Sequence, residues 1–250
     1  MKFPSLQFTL ASVLMDLGTL SWAAAEPSKA EVEGRVLVAE LLAQKPAENS
    51  EWRGVLKIRN RERQTTAIPV TGRITVEKDG WKVVYSTIAT EKSGAETLTV
   101  IHSATGTNQY LYSRASADSV GGEAKPLTGN EADIALAGSD FWLSDLGLDF
   151  LHWPGQRLLK KELRRGQSCK VLESVNPHPT TNGYARVVSW IDIDTGGIVH
   201  AEAYDQGKKV IKEFDPKEFK KINGRWELQE MEIRNVKTGS RTRLEVNLEK

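Results

Sequence analysis

Short runs of alternating apolar and polar residues dominate the chain. Gln167-Ser168-Cys169-Lys170-Val171-Leu172-Glu173, Val187-Val188-Ser189-Trp190-Ile191-Asp192 and Val199-His200-Ala201-Glu202-Ala203-Tyr204-Asp205 each read as a strand. Turn chemistry separates such runs at Asp194-Thr195-Gly196-Gly197, Gln206-Gly207-Lys208 and Asn223-Gly224. Leu244, Val246 and Leu248 share one parity, with Arg243, Glu245 and Asn247 on the other. Within 226–235 the phase slips. Trp226 and Leu228 have one parity, Met231 and Ile233 the other, which predicts a bulge and a bent sheet.

Upstream, the pattern predicts strands over 51–60, 64–78, 81–88, 96–103 and 109–114, with Asp79-Gly80 as a hairpin turn. Gly and Pro mark 118–126 as exposed loop. Ser28 with Glu31 forms a capping box, and Val32, Val36, Leu37 and Leu41 follow at helical spacing. A helix over 29–43 therefore packs on the sheet, or plugs one side of a hollow in it. Residues 139–153 fit neither period and are the densest aromatic stretch. They predict one or two short helical turns, capped by Ser139 or Asp140, that close one end of the core or cover a ligand cavity. The tryptophans beyond residue 25 can fill a core or line a hollow.

Residues 1–25 have the form of a secretory signal peptide: Lys2, a short apolar run, then Ala23-Ala24-Ala25 before Glu26-Pro27. The run is too short to span a bilayer, and Asp16 interrupts it. No cysteine follows it to carry a lipid, so the expectation is a periplasmic protein, not itself lipidated, with one domain over 26–250. Cys169 is the single cysteine and reads as a small buried hydrophobe.

A net charge of +1 argues against nucleic acid as a partner. His102, His152, His178 and His200 lie far apart and none has metal-ligand spacing. The chain has no Gly-x-Ser-x-Gly elbow, phosphate loop or dinucleotide fingerprint. Asp192-Ile193-Asp194-Thr195-Gly196 reads as a turn rather than a calcium loop. The expectation is a protein that is not an enzyme, with no cofactor and no metal. Lys160-Lys161 and Arg164-Arg165 interleave with leucines, as a solvated face or as a docking patch for an acidic partner.

Several segments in order resemble the LolA-like family of outer-membrane lipoprotein-sorting proteins. They are Gly138-Ser139-Asp140-Phe141 with Asp145-Leu146, Arg165 to Glu173, Val188-Ser189-Trp190-Ile191-Asp192, Gly224-Arg225-Trp226, Met231-Glu232-Ile233 and Lys237-Thr238-Gly239. The resemblance implies a mainly β fold with a few helices: an incomplete, half-open antiparallel β-barrel covered by helices. It also implies an apolar cavity that shields acyl chains of a lipid or acylated protein cargo. An inner-membrane transporter-like protein would deliver that cargo to an outer-membrane receiver, with the carrier itself a monomer. The candidate cavity or lid residues are Phe141, Trp142, Leu146, Leu148, Phe150, Leu151, Trp153, Trp190 and Trp226. The family holds its lid with an arginine that no motif marks in this chain. The competing expectation is an envelope sensor or interaction module on the same scaffold, binding a membrane or periplasmic protein.

Overall fold

Two meanders share one sheet. The structure, a computed structural model, describes residues 26–89, 94–103, 106–115, 122–222 and 225–247; the side chains of 222, 225 and 226 lie outside the described set. The proposed signal peptide, the Asn223-Gly224 turn, the Trp226 side chain and Leu248 therefore lie outside it too. The first meander comprises Ser50–Arg59 (β1), Thr65–Glu77 (β2), Gly80–Thr87 (β3), Glu96–Ser103 (β4), Gln109–Arg114 (β5) and Lys125–Leu127 (β6). The second comprises Gly155–Arg164 (β7), Gln167–Val175 (β8), Arg186–Asp192 (β9), Ile198–Tyr204 (β10), Val210–Ile222 (β11), Arg225–Asn235 (β12) and Arg241–Asn247 (β13). Every pairing is antiparallel, and β1 joins β13 at the middle, so the order runs from β6 through β1 and β13 to β7. The fold is mainly β with few helices, an open sheet curved into an incomplete barrel. Residues 125–127 correct one expectation: they pair with β5 at Tyr110, Leu111 and Tyr112 instead of lying in a loop.

Helix α1, Lys29–Leu42, starts at the expected capping box, with the Ser28 N–H and hydroxyl both donating to the Glu31 carboxylate. Its buried stripe differs from the expected one. Leu37 and Val38 are buried, while Val32 and Val36 are exposed. The reason is Gly34, where a Cβ would come within 2.7 Å of the Arg157 backbone. The helix sits directly on that backbone, and this contact turns Leu37, Val38 and Leu41 inward.

Three apolar clusters hold the sheet. One lies under β1–β5 and packs Leu56, Val70, Leu98 and Val100 against Phe141 and Leu143. A second packs Leu37 and Val38 of α1 with Phe150, Leu151, Leu172 and Ile191. The third is on the opposite, convex face and contains Cys169, Val171, Val188, Trp190 and Val199. Cys169 is buried there, as expected of a small hydrophobe.

Candidate functional site

The chain crosses from β6 to β7 over the concave face. The crossing contains 3-10 turns at Gly129–Ala132, Leu136–Gly138 and Asp149–His152 and the single-turn helix α2 at Leu143–Leu146. The helix α2 and the last 3-10 turn are the two short turns expected within 139–153. The caps differ from expectation: Asp145 accepts the Trp142 N–H at 2.7 Å and closes the start of α2. Asp140 instead accepts hydrogen bonds from the hydroxyls of Ser240 (2.6 Å), just before β13, and Thr242 (2.9 Å) on it.

Polar pegs fasten this cover along its length. The buried Glu96 carboxylate accepts the Ala137 N–H at 2.7 Å. The Asn108 amide donates to the Gly147 carbonyl at 2.7 Å, and the Tyr110 hydroxyl to Asp149 at 3.3 Å. The Gln156 side chain donates to the carbonyls of Phe150 and Trp153 at 3.0 and 2.8 Å. The central peg is ionic. Lys212 of β11, 2% exposed, reaches Asp145 at 3.2 Å, and the Tyr184 hydroxyl donates to the same carboxylate at 2.9 Å. The Lys212 ammonium stands 3.7 Å from the centre of the Trp142 ring, which stacks on Tyr184. Burial raises the Asp145 pKa and lowers that of Lys212, and each opposes the shift of the other through its charge.

Between the cover and the sheet, walled by strands of both meanders, lies a hollow of about 1500 Å³. Its apolar wall includes Trp52, Tyr85, Phe214, Met231, Leu244 and Val246. Gly72, opposite Trp52 across the β1–β2 ladder, makes room for the indole, since a Cβ there would lie 2.2 Å from the ring. The register of the β11–β12 hairpin keeps this wall greasy. Pro216 faces Met231, Glu218 faces Glu230 and Phe219 faces Leu228, so Lys217 and Gln229 are each one residue extra. Each extra residue reverses its strand's parity. Phe214 and Phe219, and likewise Met231 and Leu228, thus line the same hollow despite their opposite parities.

Of the sequence-derived candidates, Leu146, Leu148, Phe150 and Leu151 line the hollow. Leu148 does so from a left-handed backbone conformation (φ 50°). The others are placed elsewhere. Phe141 is fully buried in the first cluster, and Trp142 is held between Lys212 and Tyr184. Trp153 packs edge-on to Phe150 and borders a separate polar recess of about 20 Å³ with Asp133, Asp145 and Asp149. Trp190 is on the convex face, where its N–H donates to Glu162 and Arg164 lies 4.2 Å above its ring. Trp52 was among the tryptophans read as filling a core or lining a hollow, Met231 marked the phase slip, and Tyr85 and Phe214 were not singled out. The signal for all four as wall residues is inward parity on their strands. Lys212 was also missed: it shares the parity of Phe214, but on a strand rich in charged residues nothing sets it apart.

Among the described residues no helix is long and apolar enough to cross a membrane, and no group of three or more His, Cys, Asp or Glu is placed to hold a metal. No curated protein matches the chain. Solved structures of the same fold include a DUF1329 family protein from Desulfovibrio piger (19% identity, TM-score 0.70, 88% of this chain and 92% of that one). A domain described as outer membrane lipoprotein-sorting, from Vibrio parahaemolyticus, matches at 20% identity and TM-score 0.70 over 87% of this chain and 91% of that one. A LolA superfamily protein from Nitrosomonas europaea matches at 12% identity and TM-score 0.60 over 88% and 92%. At these identities the likeness is one of fold. A family model described as "-like: Uncharacterized protein" matches residues 78–248. That match spans more than half of the chain, so the chain belongs to the family this model describes, and its fold is the one seen in the LolA superfamily structure.

Proposed function

We propose that the chain is a periplasmic carrier that shields the acyl chains of a lipid, or of a lipid-modified protein, in its concave hollow. The observation that supports this reading is a hollow of about 1500 Å³ with a mainly apolar wall beneath a pegged cover. Interiors normally close such space, because dense packing is favourable. A hollow left open on this scale suits a guest whose methylenes each gain about 0.8 kcal/mol on leaving water. Export by residues 1–25, and hand-over between an inner-membrane donor and an outer-membrane receiver, belong to the same proposal. The task is binding and release, and nothing in it calls for a catalytic group.

Native mass spectrometry of protein purified from the cell envelope tests the reading, followed by titration of delipidated protein with a fluorescent fatty acyl probe. The expected results are a co-purifying lipid and saturable probe binding. Met231→Asp, in the wall, should weaken the probe at least on the order of tenfold, because it sets a charge among buried methylenes. Protein that carries no lipid and leaves the probe free would overturn the carrier reading.

A further inference from the structure

The sheet has two edges, and they differ. β6 is three residues long with Pro126 at its centre, which offers no N–H to a neighbour. β7 has ten residues and pairs only with β8. Helix α1 rests on the start of β7, at Gln156 and Arg157, and then crosses inward. By its last turn Glu40 is near Lys170 of β8, and Gln44 beyond it reaches Gly196 in the β9–β10 turn. The outer edge of Lys160–Arg164 is therefore left open. Leu163 there is 74% exposed, more than any other large apolar side chain among the described residues. Arg157, Lys160, Lys161, Arg164 and Arg165 lie along the strand and its following turn, against one acidic residue of the strand, Glu162, and Arg157 pairs with Glu173. Lys160 pairs with Glu162 and Arg165 with Asp215. No acidic group among the described residues lies within ion-pair distance of Lys161.

We propose that this edge of β7 receives an extended, acidic segment of a partner protein as an added strand. Antiparallel pairing uses the N–H and C=O groups of alternate residues, so those of β7 that point away from β8 await a partner. The register assigns the side chains. Lys160 and Glu162 lie across from Val171 and Cys169 of the convex cluster, and Lys161 and Leu163 point to the other face. The matching segment carries carboxylates opposite Lys160, Lys161 and Arg164 and an apolar residue against Leu163. A bilayer fits less well, because hydrocarbon would leave the edge backbone groups unsatisfied. The inference does not depend on what fills the hollow.

The test uses chain 26–250 and a fluorescein-labelled octapeptide Val-Thr-Glu-Val-Thr-Glu-Glu-Val, which in antiparallel register sets Glu opposite Arg164, Lys161 and Lys160 and Val against Leu163. Expected are saturable binding that weakens with salt and slowed amide exchange at 160–164. Lys161→Glu should bind about tenfold more weakly, the scale of one lost charge pair. A peptide with a central proline should lose as much. Lys161 is exposed, so an unchanged Tm checks that the variant folds, and its undiminished uptake of the acyl probe separates this test from that of the carrier reading. Four results would overturn the proposal: no binding; binding with no exchange protection of β7; equal binding of the proline peptide; or dimers paired through β7 without peptide. Sedimentation with anionic phosphatidylglycerol vesicles that requires Leu163 and Lys161, without peptide binding, would assign the edge to a lipid surface and likewise refute it.

Discussion

Lys212 and Asp145 show how one buried pair can decide whether the cover stays down. Each has lost water, and each is compensated chiefly by the other. Removing one partner leaves the other charged and dry, which costs about 3–5 kcal/mol, whereas replacing both by apolar groups of similar volume restores much of that loss. Lys212→Met should thus lower the free energy of unfolding by about that amount in urea titrations, and Lys212→Met with Asp145→Leu should recover most of it. A single variant as stable as wild type would refute the pairing.

A second residue-scale effect is tied to pH. Burial lowers the His102 pKa from 6.5 to about 4, and His152 nearby pushes the same way. Between those values the unfolded chain holds a proton that the folded chain lacks, so stability falls as pH drops from 6.5 towards 4. His152, lowered by burial, acts in the same sense. Asp133, Asp145 and Asp149 act in the opposite sense, because burial raises them and their protonation favours the folded state. His102→Phe, which keeps a ring stacked on Trp81, should flatten the fall of Tm across that window. An unaltered slope would exclude His102 as its source.

At the scale of elements, strands were legible wherever one face is wet. Alternation marked β1–β5 to within a residue or two, and the slip at 226–235 announced a bulge before any coordinates. Parity alone could not show that β11 carries a matching extra residue at Lys217, because its partner strand sets the register. The face of α1 was misread for a similar reason. Spacing proposed Val32 and Val36, but the backbone contact at Gly34 fixed the rotation. The aromatic stretch was recognised as a cover, yet its tryptophans were assigned to the hollow on size alone; the partners that hold Trp142, Tyr184 and Lys212, are remote in sequence. Deleting Gln229 takes out the extra residue of β12, so Met231 and Leu228 fall two positions apart and still face the hollow in regular strand geometry. Acyl-probe affinity should stay within about threefold of wild type, whereas a loss of tenfold or more would show that the bulge itself shapes the hollow.

For the molecule as a whole, a guest in the hollow would complete a core that the chain leaves open. Any ligand of the folded state stabilises it by mass action, about 2.7 kcal/mol at a hundredfold excess over Kd. For a domain of this size that corresponds to a rise in Tm of roughly 5–11 °C. Differential scanning calorimetry of delipidated protein with a long-chain fatty acid should show such a rise, and a flat response at saturating ligand would count against a guest of that class.

The pairing of β1 with β13 has a further consequence. Arg53 meets Asn247 and Arg59 meets Arg241 at the midline of the sheet, so neighbours there are almost the full chain apart. Contacts of such long range form slowly, since a large loop must close before they are gained. While the polypeptide is being made, its midline seam has only one side, and the two meanders cannot be joined until β13 has left the ribosome. A chain built in this order keeps its two halves unjoined, and so threadable, until β13 has been made.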